Sequence, residues 1–262
     1  MSQKRLAVVI SGWHFPLHFY DRIARQKVPK GWKVDYFCIS HRDPSFACEE
    51  KKTKVLGNTQ REKLDKILYH ELATVKQLQM LGFEYIEEPN TIGDWGNSNQ
   101  WLEKHNYKDY DLFLFTHDDN LILNTSWFKD VISDESFDEW EVLANSTGMP
   151  QGTIRGSCEF FKQSFLKKIG GKFDLSEVTL SRVGETTVSE DRNELYDWNA
   201  TLYPLMRFIN ENNIKVGYLS PAYRVSGYVI EGERGYISNT HGANTAEEEK
   251  GLKFLTDNKI IW

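Results

Sequence analysis

The sequence predicts an α/β fold in which helices flank a mostly parallel central sheet. Apolar runs at 6–10, 34–39 and 112–115 are short and uninterrupted, the character of strands buried on both faces. Apolar residues at helical spacing fill the intervals between these runs, as alternating strands and helices require. Glycine and proline punctuate the joins at Ser11-Gly12, Pro29-Lys30-Gly31 and Gly82. With 262 residues, 40% apolar and 27% charged, the composition is that of a globular chain, and one large domain of this kind buries a sizeable core.

The first strand, 6–10, leads through Ser11-Gly12 to Pro16, which suits the first position of a helix. Leu17, Tyr20, Ile23 and Ala24 mark one face of that helix through Gln26, and the second strand follows at 34–39. A strand–helix–strand unit of this kind makes the first two strands parallel. Residues 49–60 read as an irregular lysine-rich insertion. From 61 to 81 the positions Leu64, Ile67, Leu68, Leu72, Val75, Leu78 and Leu81 recur at helical spacing, and Gly82 ends them. A short strand is expected at Tyr85-Ile86, then a Gly/Asn-rich loop over 93–99, with Asn97 or Ser98 capping a helix over 100–105. After the strand at 112–115 and a second apolar run at 121–123, the spacing predicts a helix at 127–132 and strands at 141–144 and 156–161. A helix at 163–169 closes on Gly170-Gly171. Ser189 caps a helix extending to about 212 that Pro204 should kink or divide, and a last strand occupies 216–219. The tail from 232 is polar and glycine-rich, with a short helix at 246–255.

Charge and cysteine content narrow the class. The balance of 32 basic against 38 acidic residues argues against a surface built to coat a polyanion. Cys38, Cys48 and Cys158 are odd in number and not at metal-ligand spacing, which suits a reducing compartment. The first apolar run holds only about five residues, too few for a signal peptide, and no run approaches the ~18 of a membrane span. A cytoplasmic location is the expectation.

The chemistry concentrates after the strand at 112–115, in Thr116-His117-Asp118-Asp119-Asn120. Asp-Asp-Asn is ordinary turn chemistry, because Asp and Asn bond their own backbone. Coming directly off a buried strand, the same residues also suit a mouth that holds a divalent cation, and a phosphate with it, through oxygen ligands. Two more polar loops converge on that edge: Ser11-Gly12-Trp13-His14 and Ser40-His41-Arg42-Asp43. No Gly-x-x-x-x-Gly-Lys-Ser/Thr and no Gly-x-Gly-x-x-Gly is present, so P-loop and dinucleotide readings lack their fingerprints.

The order of these parts resembles the GT-A glycosyltransferases, family two above all. The resemblance rests on the first strand with its polar turn, the Asp43 loop, the Asn/Gly-rich stretch and the DxD-like His117-Asp118-Asp119-Asn120. Phe160-Phe161, Gly170-Gly171-x-Phe173-Asp174 and Ser189-Glu190-Asp191 follow in sequence. It implies a Rossmann-like sheet in a single domain spanning 1–262, with a nucleotide-sugar-binding half (1–124) and an acceptor-side half and tail (125–262). It implies a UDP-sugar donor, with Asp118 and Asp119 binding Mn²⁺ or Mg²⁺ and Asp118 also reaching the ribose. Ser11, Gly12, Trp13 and Asp43 would line the nucleoside pocket with Asn97 or Asn99. Asp191 would be the general base of an inverting transfer, oriented by Glu190, although both also suit the first turn of a helix. His241 would complete the metal site, and His117 stands where an Asp is usual. Trp13 and Trp95 are candidates for stacking on uracil or sugar, or for the core. The acceptor would be a saccharide or another hydroxyl-bearing molecule; net acidity only mildly disfavours a modified nucleic-acid base. Two other readings compete. A sugar-phosphate nucleotidyltransferase would want a glycine-rich, basic first loop, which Ser11-Gly12-Trp13-His14 is not. A non-catalytic glycan-binding module would leave the titratable loops unexplained.

Overall fold

Successive residues of the first strand face opposite hydrophobic layers, and this alternation organises the molecule. Leu6, Val8 and Ile10 enter one core, Ala7 and Val9 the other, and all five are 2% exposed or less. The computed structural model describes residues 3–12, 15–40, 71–88, 93–118, 120–122, 125–144, 158–176, 198–218, 224–226, 229–231 and 237–239. In chain order the strands are β1 (Lys4–Ser11), β2 (Trp32–Ser40), β3 (Phe83–Glu87), β4 (Leu112–His117), β5 (Asn120–Ile122), β6 (Val142–Ala144) and β7 (Cys158–Lys162). They are followed by β8 (Val216–Tyr218), β9 (Arg224–Ser226), β10 (Val229–Glu231) and β11 (Ile237–Asn239). The central sheet has the order β3-β2-β1-β4-β7-β6-β8 and is parallel throughout except for β7. This is the α/β class expected, and β1 and β2 are parallel as the first strand–helix–strand unit requires. Strands β5 and β11 form a separate antiparallel pair, as do β9 and β10.

Helices cover both faces. On one lie α1 (Leu17–Ala24), α2 (Val75–Met80) and α4 (Trp127–Ile132), burying Phe19, Tyr20, Ile23, Leu78, Trp127 and Phe128. On the other lie α3 (Gly93–Lys104), α5 (Gln163–Lys168) and α6 (Trp198–Glu211), with Trp101, Phe165, Leu205 and Ile209 in that core. Trp101 is its centre: fully buried, its ring sits 5.1 Å from Phe37, 6.0 Å from Phe113 and 6.4 Å from Phe115. At the amino edge, Arg5 ties three strands. Its guanidinium reaches Asp35 at 2.6 Å, its plane covers the Tyr110 ring, and its backbone exchanges hydrogen bonds with Asp111 just before β4.

Several sequence expectations change. The helix expected over 61–81 is, among the described residues, only Val75–Met80; 61–70 lie outside them. Leu72 does not continue the periodicity but forms a β-bridge with Pro16, and Thr74 starts the helix anew through a capping box with Gln77. Pro16 precedes α1 as its N-cap rather than occupying its first turn. The Gly/Asn-rich stretch 93–99 is not a loop but the first half of α3, so neither Asn97 nor Ser98 caps it. The apolar run after β4 leaves the central sheet, and Pro204 sits inside one continuous helix instead of dividing it. Strands β9 to β11 have too little apolar alternation to be read from sequence. The insertion at 49–60, the Ser189 cap and the tail helix at 246–255 lie outside the described residues. Among those described, no helix is long and apolar enough to cross a membrane.

Two stability measurements test this packing. Trp101→Ala removes the ring that fills the second core and should cost about 3–5 kcal/mol in urea unfolding. A loss under about 1 kcal/mol would mean the layer is loosely packed. On α1, burial pushes the imidazole of His18 down from 6.5 to about 4. The native state therefore refuses a proton that the unfolded chain accepts, so this contribution is intact above pH 6.5 and lost as pH falls toward 4. Relative to His18→Asn, the wild type should lose about 2 kcal/mol between pH 7 and pH 5. Parallel pH profiles for the two proteins would remove His18 as the cause.

Candidate functional site

The parallel strands β1, β2 and β4 all end at one edge, with Ser11 in register with Ile39 on one side and His117 on the other. Antiparallel β7 begins there, Cys158 standing opposite Thr116. Backbone groups that leave a parallel sheet at this edge have no further strand to bond, so the loops must satisfy them. The Gly12 N–H donates to the Ile39 carbonyl at 2.8 Å, and the Ser40 hydroxyl donates to the Gly12 carbonyl at 2.8 Å. A side chain at Gly12 has no room. A Cβ there would lie 2.8 Å from Cys38 Sγ and 3.0 Å from the Phe15 ring.

Three residues later the chain is held again. Phe15 is fully buried with φ of +54°, a left-handed conformation that costs an aromatic residue about 1–3 kcal/mol and persists only where neighbours enforce it. Its N–H donates to Asp118 Oδ2 at 2.7 Å, and its carbonyl accepts from the Ala73 N–H at 2.7 Å. Asp118, immediately after β4, is only 1% exposed, and the same Oδ2 accepts the Tyr20 hydroxyl at 3.2 Å. Burial, and then the negative charge of Asp118, push the Tyr20 phenol far up, so it remains a donor. Cys38 lies 3.3 Å from the same hydroxyl, and burial raises its thiol out of reach of ordinary thiolate chemistry.

The structure thus brings together Ser11, Gly12 and Asp118, with Ser40, Phe15, Tyr20 and Cys38 around them. Asn97 and Asn99 stand on α3, across the other face of the sheet. Asn97 is 4% exposed, and its carbonyl oxygen has no hydrogen-bond partner among the described residues. The amide of Asn99 is taken up by the Phe173 backbone, donating to the carbonyl at 2.9 Å and accepting from the N–H at 2.8 Å. Trp95 belongs to the core, its ring 4.3 Å from Phe173 and 5.9 Å from Phe161. Trp13, Asp43, Asp119, Glu190, Asp191 and His241 lie outside the described residues. Among those described, no group of three His, Cys, Asp or Glu side chains could hold a metal ion. The register of β5 and β11 sets Asn239 opposite Asn120.

One polar residue at this edge went unnoticed in the sequence. Glu159 is fully buried in β7, between Phe115 of β4 and Ala144 of β6, and one oxygen accepts the Cys158 N–H at 3.0 Å. Burial, and then the Glu159 charge, raise the Cys158 thiol. A single carboxylate inside the apolar run Cys158-Glu159-Phe160-Phe161 is the signal that could have found it, since buried charge needs compensation.

The chain matches no protein-family model, and no curated protein matches its sequence. Among solved structures it is similar to TarS 1–349 of S. aureus in complex with UDP, at 14% identity and a TM-score of 0.48, over 97% of this chain and 64% of that one. It is similar to the mannosyltransferase PcManGT of Pyrobaculum calidifontis in complex with GDP-Man and Mn²⁺, at 13% identity and a TM-score of 0.45, over 89% and 58%. A cytidylyltransferase of Leptospira borgpetersenii is similar at 10% identity and a TM-score of 0.44, over 99% of this chain and 96% of that one. The chain spans less than two thirds of either of the first two proteins.

Proposed function

We propose that this chain is a metal-dependent glycosyltransferase that moves a sugar from a nucleoside-diphosphate sugar, a UDP-sugar, to an acceptor hydroxyl. The observation that carries the reading is the convergence of the β1 and β4 exits on one sheet edge, joined through Asp118 and Phe15. Ligands of open α/β sheets bind at that edge. The loop that would meet the diphosphate is therefore hydrogen-bonded to the loop that would meet the nucleoside.

In this reading a carboxylate and an imidazole are the donors offered to a divalent cation. Asp119 supplies a carboxylate, and His241 follows Asn239 by two residues, which keeps their Cα atoms within about 7 Å. Asn239 is paired with Asn120, the residue after Asp119, and this supports His241 as a second ligand. Bound there, Mn²⁺ or Mg²⁺ would neutralise charge on the departing diphosphate. In this reading Ser11, Gly12 and Trp13 form the floor of the nucleoside pocket, and Asp43 holds the base or ribose. Asn97 lines the pocket, while Asn99 serves by holding α3 against Phe173. Asp191 takes the proton of the acceptor hydroxyl in an inverting displacement, and Glu190 orients it. Residues 1–124 carry the donor and 125–262 frame the acceptor.

A thermal-shift panel tests this. UDP with Mn²⁺ near a hundredfold over its Kd should raise the melting temperature by about 5–10 °C, and Asp119→Ala should abolish the manganese-dependent part. Asp191→Asn should lower sugar transfer by about 10²–10⁴-fold while leaving UDP affinity unchanged. No shift with any nucleotide sugar in the presence of manganese would overturn the reading. Pyrophosphate release from a nucleoside triphosphate and a sugar phosphate would do the same, in favour of a nucleotidyltransferase.

A further inference from the structure

We infer that His18 is a proton-operated release for the seam between α1 and β5: with a neutral imidazole the seam stays shut, and on protonation β5 parts from the helix while the central sheet stays intact. The device does not depend on what the carboxyl edge binds.

One stripe of polar side chains builds the seam. His18, Arg22 and, just past the helix, Gln26 follow at intervals of four residues, which places them on one side of α1. Arg22 Nε donates to the Ile122 carbonyl at 3.3 Å, and Gln26 Oε1 accepts the Phe128 N–H at 3.4 Å. The neighbouring Lys27 N–H donates to the Thr125 carbonyl at 2.8 Å. The chain from β5 to α4 is thus fastened to α1 by its backbone, with Ile122 fully buried. His18, the first member of the stripe, fastens nothing. Its ring is 5% exposed, and neither nitrogen has a hydrogen-bond partner among the described residues. The Ile122 carbonyl lies beside it but outside bonding geometry, and already accepts from Arg22.

A neutral imidazole in this place leaves one donor and one acceptor bare. A protonated one leaves two donors bare and adds a buried charge. The surrounding groups favour the neutral form. On α1, Arg22 stands one turn on and repels a proton, while Asp21 attracts it. From β5 come a carbonyl and no charged side chain. Glu71, at the near end of the helix, gives its carbonyl to the Leu17 N–H; α4, with Lys129 and Asp130, meets the stripe at Gln26, about two turns away. Burial first and Arg22 second outweigh Asp21 and the Ile122 carbonyl, so the folded ring refuses a proton until about pH 4.

A charged ring must therefore reach water, and the least supported boundary gives way. Strand β5 is three residues long, lies outside the central sheet and pairs with the equally short β11. A two-stranded pair of that length is marginal by itself. Strand β1 is instead paired on both sides, with β2 and β4. Opening at β5 is consequently a local event with a lower free energy than unfolding of the sheet.

Amide hydrogen exchange followed by NMR, corrected for the intrinsic rate at each pH, tests the release. From pH 7 to pH 5 the opening constant at Ile122 and Phe128 should rise about twentyfold, the increase that a group moving from about 4 to 6.5 on opening imposes. At both pH values these amides should open more readily than those of Val8 and Val9, and with a smaller urea dependence. His18→Asn and His18→Gln, neither of which titrates, should abolish the rise. The inference is overturned if either folded variant keeps it. It is overturned as well if Ile122 and Phe128 share the opening constant and urea dependence of β1, since the opening is then global. A His18 ring that titrates near 6.5 in the folded protein is a third contrary result.

Discussion

The buried carboxylate of Asp118 holds the carboxyl edge of this sheet together. Charge at 1% exposure survives only with donors aimed at it, and here they come from the chain that leaves β1 and from the helix that follows. Charge-assisted bonds of this kind are worth about 1.5–3 kcal/mol each. They offset the left-handed Phe15 and keep two loops, a hundred residues apart in the chain, in contact. The parallel pairing of β1 with β4 sets the stage, because it delivers Ser11 and His117 to the same level.

The two edges of the sheet handle polarity differently. At the amino edge charges are paired at the surface, Arg5 with Asp35 and Lys33 with the same Asp35 at 2.7 Å. Such pairs stitch strands together and are screened by solvent. At the carboxyl edge the polar groups are buried: Ser11, Ser40, Thr116, Asp118 and Glu159 are all under a tenth exposed. Buried polar groups with fixed partners are what a binding site needs to be preorganised. Surface ion pairs at one end and buried polar groups at the other thus come from one strand order.

The aromatic residues divide by the same logic. Trp95, Trp101, Trp127 and Trp140 are all packed away, each 4% exposed or less. These four tryptophans, among the described residues, build the two cores. Trp101 meets rings from both β2 and β4, so the layer that carries Asn97 is set by aromatic packing along α3.

The sequence alone determined the central strands: 6–10, 34–39 and 112–115 fall within β1, β2 and β4, and the helix at 127–132 has the bounds expected. These are local properties, written in apolar runs, spacing and glycine stops. It also marked the edge where polar loops gather, because carboxylates directly after a buried strand stand out from their surroundings. What it could not carry was anything that depended on a distant partner. Leu72 left its helical pattern to bridge Pro16, Asn99 turned to Phe173, and the lone Glu159 sank into a strand. Above all, the letters Asp118-Asp119 do not say which way Asp118 faces. Only the tertiary structure shows Asp118 facing inward, because the Phe15 amide and the Tyr20 hydroxyl that draw it there come from a part of the chain that meets it only after the sheet has formed.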